Sequence, residues 1–203
     1  MKNIAVLVSG RGSNLQAIMD AIDRGEINGR IVAVVSNRKD AYALERARQR
    51  NIPAIFIDHR RKARKDFEEE IIQALKPYSP DLIVLAGFMR ILTPHFVSAY
   101  RGRIMNIHPA LLPSFPGTHA QKDALEWGVK VTGCTVHFVD EVTDHGPIII
   151  QRAVEVMEND TVETLAARIL EQEHKAFPEA VKLFCEDRLV IEGRRVRILP
   201  PKE

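Results

Sequence analysis

The chain has 203 residues, 45% hydrophobic and 28% charged, an ordinary globular composition that excludes disorder and low complexity. Lys and Arg number 29 against 27 Asp and Glu, so no basic field points to nucleic acid, although a few local cations could still serve a small anion. The longest apolar run, Leu82 to Met89, is far shorter than the ~18 residues of a membrane span. Arg11 interrupts the apolar start too early for a signal peptide. Cys134 and Cys185 share no CxxC or zinc spacing, so neither a disulfide framework nor a structural metal is expected. These bounds predict one domain over residues 1–203 in a reducing compartment, the cytoplasm.

Ile4–Ser9 is a β-branched apolar run, the pattern of a buried strand. Leu15, Ile18, Met19 and Ile22 then recur at helical spacing, with Ser13 as N-cap, Gln16 completing a capping box and Gly25 as the stop. Strands follow at Ile31–Ser36, Ala54–Ile57, Leu82–Ala86 and Arg103–Ile107. Between them the reading gives helices at Ala41–Arg50, Lys62–Lys76 and Thr93–Tyr100, the last with Thr93 as cap and Pro94 at the first helical position. Strands apolar throughout and alternating with helices predict an α/β fold, a mostly parallel sheet with helices on both faces.

After Ile107 the pattern changes. Pro109, Pro113, Pro116 and Gly117 mark a long irregular segment, usually functional in a compact domain. Val131–Val139 alternates and Ile148–Val156 follows a turn, which predicts an added antiparallel pair. A helix from about Thr161 to Asp187, capped by Asp160 with Glu163 in the box position, and a hairpin around Glu192-Gly193 complete the chain.

The loop from Ser9 to Asn14 joins a strand to a helix, where unpaired N–H groups and a positive dipole end can face an anion. Leu15 stands where a dinucleotide fingerprint needs glycine, and no GK[ST] follows. The loop is therefore either a tight capped turn or a phosphate cradle for a mononucleotide-like group, with Gly10 and Gly12 allowing close approach. Asn106 and His108 lie two apart at the carboxyl end of a strand, on one side of it and on the same rim. An amide and an imidazole so placed suit a developing oxyanion or a proton transfer, or else the histidine is structural. Asp144 sits in a turn, where Asp is common for its backbone bonds. His119 and His137 have no partner at metal spacing. The basic run Arg60–Lys65 is a solvated face or offers one arginine to a carboxylate. Glu173 projects into the apolar stripe of the last helix, which calls for an ion partner or a ligand hydroxyl or amine.

Five segments carry a resemblance across nearly the whole chain. They are the SGxGSN loop at Ser9–Asn14, Leu85–Leu92, Asn106–Gly117, His137–Ile148 and Gln172–His174. In this order they resemble the phosphoribosylglycinamide formyltransferases, a folate-dependent formyltransferase family. The resemblance implies transfer of the formyl group of 10-formyltetrahydrofolate to the amine of glycinamide ribonucleotide in purine biosynthesis, with no metal. It implies a catalytic trio of Asn106, His108 and Asp144. Asn106 and protonated His108 would stabilise the oxyanion, while Asp144 would favour the charged imidazole and take the amine proton, directly or through water. Gly12, Ser13 and Asn14 would hold the substrate phosphate and Glu173 the ribose hydroxyls. Arg64, Met89, Arg90, Ile91, Leu92, Asn106, Asp140 and Glu141 would meet the folate. Formyltransferases acting on methionyl-tRNA or a nucleotide sugar, and formyl-folate hydrolases, usually carry a further domain, which is not expected here.

Overall fold

The computed structural model describes Met1–Glu203. Its first half alternates strand and helix: β1 (Lys2–Val8), α1 (Ser13–Asp23), β2 (Gly29–Ser36), α2 (Tyr42–Gln49), β3 (Ala54–Phe56), α3 (Arg64–Leu75), β4 (Leu82–Leu85), α4 (Pro94–Ala99) and β5 (Ile104–His108). There follow α5 (Ala120–Trp127), β6 (Val131–Phe138), β7 (Ile148–Glu155), α6 (Val162–Cys185) and the hairpin β8 (Leu189–Glu192) and β9 (Arg195–Ile198). All strands join one sheet in the order β3-β2-β1-β4-β5-β6-β7-β9-β8. β1 to β5 pair in parallel, whereas β6 runs antiparallel between β5 and β7.

The apolar strands are explained by burial on both faces. Ile4, Val6 and Val8 of β1 join one core with α1, α2 and α6, while Ala5 and Leu7 join another with α3 and α4. Strand order reverses between β1 and β4, the point where crossovers change face and the loops beyond the strands part into a crevice. The Ser9–Gly12 loop leaves β1 and the Ala86–Leu92 segment leaves β4 at this point.

Several helix ends differ from the sequence reading. Gly12, at φ 76°, is the residue before α1, so Ser13 is already helical and makes no side-chain cap; Gly12 O accepts the Gln16 N–H at 2.9 Å, and the Gln16 side chain turns to Asp20. The Thr93 hydroxyl does not cap α4 but bonds Glu68 on α3. α6 is capped by Thr161 in a reciprocal box with Thr164 rather than by Asp160 and Glu163, because the Asp160 carboxylate is taken by Arg168 at 2.7 Å. α3 begins at Arg64, two residues after the expected start, and ends before a 3-10 turn at Lys76–Tyr78. α5 has no counterpart in the sequence reading. It buries only Ala120 and Ala124, too small a stripe to show helical periodicity.

Candidate active site

β1 delivers Gly12 where only glycine fits. A Cβ there would lie 2.6 Å from the Ala43 Cβ, and its φ is positive. Gly10, by contrast, is exposed, and a Cβ there would meet no protein atom within 4 Å. Arg46 of α2 braces the loop by donating to Arg11 O at 2.7 Å and Gln16 Oε1 at 3.1 Å. Asn14, in the first turn of α1, donates from Nδ2 to Glu173 Oε1 at 3.1 Å. Glu173 is 8% exposed, and burial pushes its carboxyl up to about 7 against the opposing pull of that hydrogen bond. The loop and the odd carboxylate on α6 thus meet at one place, and the Asn14 Oδ1 beside them is buried without a partner.

β5 carries Asn106 and His108 to its carboxyl end, where Asn106 pairs across to His137 and His108 to Thr135. His108 is nearly enclosed. Its Nε2 faces the Phe115 carbonyl oxygen at 2.7 Å and its Nδ1 lies 3.5 Å from Asp144 Oδ1. Both ring nitrogens therefore face acceptors, which gives each proton of an imidazolium a partner. Asp144 holds a left-handed conformation, φ 54°, and its other oxygen accepts the Gly117 N–H at 2.8 Å. The loop from Asp140 to Pro147 is fixed so that this carboxylate reaches inward. Asp140 accepts from Val142 N–H at 2.8 Å and pairs with His145 at 2.9 Å, and a Cβ on Gly146 would fall 1.7 Å from the Phe138 carbonyl oxygen. Burial holds neighbouring His137 below the usual histidine range, and its Nε2 has no partner.

The remaining expected residues lie toward the α3/α4 face of the sheet, where Phe88, Leu92 and Val139 pack on the core shared with those helices. Met89, Ile91 and Val142 expose apolar side chains at 70%, 56% and 56%. Arg64, exposed, opens α3 on the same side as Phe67, which stacks on Phe88, and Glu68, which bonds Thr93. Arg90 is half-buried. Asp140 and Glu141 point their carboxylates at His145 and Arg101, so they shape the loop with their side chains. Sequence reasoning singled out neither Arg46 nor the Phe115 carbonyl, and nothing in the sequence signals either.

The formyl transferase description matches residues 2–181. The chain belongs to the formyl transferase family. Over 98% of its length this formyl transferase is 45% identical to the phosphoribosylglycinamide formyltransferase of Escherichia coli (strain K12), of which 97% is covered. The solved glycinamide ribonucleotide transformylase 1 from Symbiobacterium toebii is 54% identical with a TM-score of 0.96, covering 98% of this chain and 95% of that one. A formyltetrahydrofolate deformylase from Pseudomonas syringae pv. tomato also superposes, with a TM-score of 0.92 over 98% of this chain and 66% of its own. Its identity is only 26%. The shared fold therefore spans two outcomes for a formyl group, and sequence similarity separates them. No helix is long and apolar enough to cross a membrane.

Proposed function

We propose that this enzyme transfers the formyl group of 10-formyltetrahydrofolate to the amine of 5′-phosphoribosylglycinamide, giving formylglycinamide ribonucleotide. The observation that carries the reading is the His108–Asp144 pair at the end of β5, the strand that also carries Asn106, on the same rim of the sheet as an anion-suited loop and near the exposed apolar side chains of Met89, Ile91 and Val142. The residues present fit both substrates. Backbone N–H groups at the start of α1, with Ser13 and Asn14, suit a phosphate at the positive end of an eleven-residue helix. The Glu173 carboxyl suits the ribose hydroxyls, and Asn14 holds it in place. Met89 to Leu92 and the Asp140–Glu141 backbone suit a flat pterin, and Arg64 suits the folate carboxylates.

The co-substrate supplies an activated formyl carbon, and this chain's residues do the rest. Asn106 and His108 donate to the formyl oxygen as the amine attacks and negative charge collects there, the electrostatic contribution usually largest in acyl transfer. His108 Nε2 must first exchange the Phe115 carbonyl for that oxygen. Asp144 holds the opposite side of the ring and accepts the proton that the amine loses, directly or through water. The carbon–nitrogen bond to the folate then breaks, and its nitrogen takes a proton. The whole chain is proposed to act as one domain, since β8 and β9, beyond the family match, extend the same sheet. A cytoplasmic setting accords with two free, buried cysteines.

A panel of acceptors tests the reading. Purified protein with 10-formyltetrahydrofolate should formylate phosphoribosylglycinamide at least a hundredfold (~10²) faster than methionyl-tRNA or an amino sugar nucleotide, the margin expected where an acceptor lacks its polar partners. Preference for either alternative would overturn it.

A further inference from the structure

Ser9 heads the Ser9–Asn14 motif, yet the proposed chemistry gives it nothing to do. It is 5% exposed, at the base of the crevice between β1 and β4. Its backbone N–H donates to Gly87 O at 3.1 Å, which carries the β1/β4 ladder past the last residues of both strands. Its hydroxyl donates to Asn37 Oδ1 at 2.6 Å and accepts the Met89 N–H at 2.8 Å. A hydroxyl has one proton and two lone pairs, so both bonds can be made at once. Asn37, also 5% exposed, lies just after β2, and its Nδ2 faces His59 Nδ1 at 3.3 Å. His59 meets the edge of Phe67, and Phe67 stacks on Phe88, with centroids 6.1 and 6.4 Å apart. The Gly87–Met89 segment is thus held through its backbone by Ser9 and through its ring by Phe67.

The far end of the same loop has its own anchor. Thr93 N–H donates to Glu68 Oε2 at 2.7 Å, the Thr93 hydroxyl bonds the other oxygen, and Glu68 is 1% exposed. Arg90, Ile91 and Leu92 are the short span between two buried polar anchors. One of those anchors, Ser9, is also the residue from which the Gly10–Asn14 loop departs.

We infer that Ser9 is a positioning residue that fixes the Met89–Leu92 wall of the folate site against the end of β1, and so sets folate affinity. This rests on the reading of Met89–Leu92 as that wall. Replacing the hydroxyl leaves the buried Asn37 Oδ1 and the part-buried Met89 N–H without their partner, while the strand ladder through the Ser9 N–H survives. The penalty falls on the loop's placement and leaves the chemistry of Asn106, His108 and Asp144 untouched.

Ser9→Ala should raise the KM for 10-formyltetrahydrofolate by about tenfold, the size of a lost hydrogen bond with buried partners left unpaired. The KM for phosphoribosylglycinamide and kcat should stay within about twofold, since neither depends on that bond. Ser9→Thr, which keeps the hydroxyl, should recover most of the folate KM. Asn37→Ala approaches the same bond from the other side and should raise the folate KM selectively too; it carries the test should Ser9→Ala fail to fold. A fall in melting temperature with an unmoved folate KM would overturn the inference, as would an equal rise in both KM values. Absence of transfer by the unaltered protein would instead defeat the functional reading, so the two failures are told apart.

Discussion

Asn14 and Glu173, 159 positions apart in sequence, meet through a 3.1 Å hydrogen bond in the interior. The bond joins the first turn of α1 to the middle of α6 and leaves the carboxyl almost wholly buried. Burial raises its pKa to about 7, from 4.5 in the unfolded chain. A raised acid costs nothing below the unfolded value. As pH rises from about 4.5 to 7 the unfolded chain loses its proton first, and stability falls by up to about 3 kcal/mol, then levels off.

Glu173→Gln removes that dependence. The variant should melt higher than the parent at pH 8 and equal to it near pH 4.5, read by calorimetry across the range. It should also bind phosphoribosylglycinamide more weakly, since an amide is a poorer acceptor of ribose hydroxyls. In the unaltered protein, hydroxyls that donate to the carboxylate favour the deprotonated form. Nucleotide affinity should therefore climb up to pH 7 and flatten above it. A pH-independent nucleotide affinity would remove Glu173 from the site.

Asp144→Asn keeps the size of the side chain and an oxygen for the Gly117 N–H, but it removes the carboxylate opposite His108 that is proposed to accept the amine proton. Turnover should fall roughly 10²–10⁴-fold, the usual range of an acid–base contribution, with both substrates still bound. Steady-state kinetics with parallel binding titrations decide it. Loss of binding without loss of kcat would make Asp144 a turn residue.

The two loop glycines give opposite expectations. Gly12→Ala places a methyl 2.6 Å from Ala43 at a positive φ, and should cost on the order of 1–3 kcal/mol of stability. Gly10→Ala meets nothing, so its melting temperature should match the parent while its nucleotide KM rises. Urea unfolding of the pair checks this, and equal stability of the two variants would contradict it.

His108 Nε2 is occupied by the Phe115 carbonyl, so the proposed oxyanion donor is free only after the Pro113–Gly117 stretch shifts. Binding both substrates should change the ¹⁵N shift of Nε2 and the amide exchange of residues 111–118. If the ring nitrogen keeps its resting shift in the ternary complex, Asn106 alone would serve the oxygen.

The doubly covered sheet was readable because strands buried on both faces, such as Ile4–Val8, are apolar without alternation. Gly12 and the Asn106/His108 pair were readable for a related reason: strand ends on one rim follow from the parallel order alone. Asp144 was readable only through the resemblance. A turn aspartate and an inward-facing carboxylate have the same local sequence context, and the framework of Asp140, His145 and Gly146 turns this one toward His108. The Phe115 carbonyl and the Asn37 amide act through tertiary contacts without any periodic signature. α5 was invisible because its buried face consists of two alanines.

The fate of the formyl group is the most direct test of the whole account, because the same fold also occurs in a formyltetrahydrofolate deformylase. The protein is mixed with 10-formyltetrahydrofolate labelled at the formyl carbon, with and without phosphoribosylglycinamide, and the label is followed by chromatography. With the nucleotide present, label should appear in formylglycinamide ribonucleotide in step with tetrahydrofolate release, and without it almost no formate should form. Formate released at the same rate whether or not the amine is present would contradict the account.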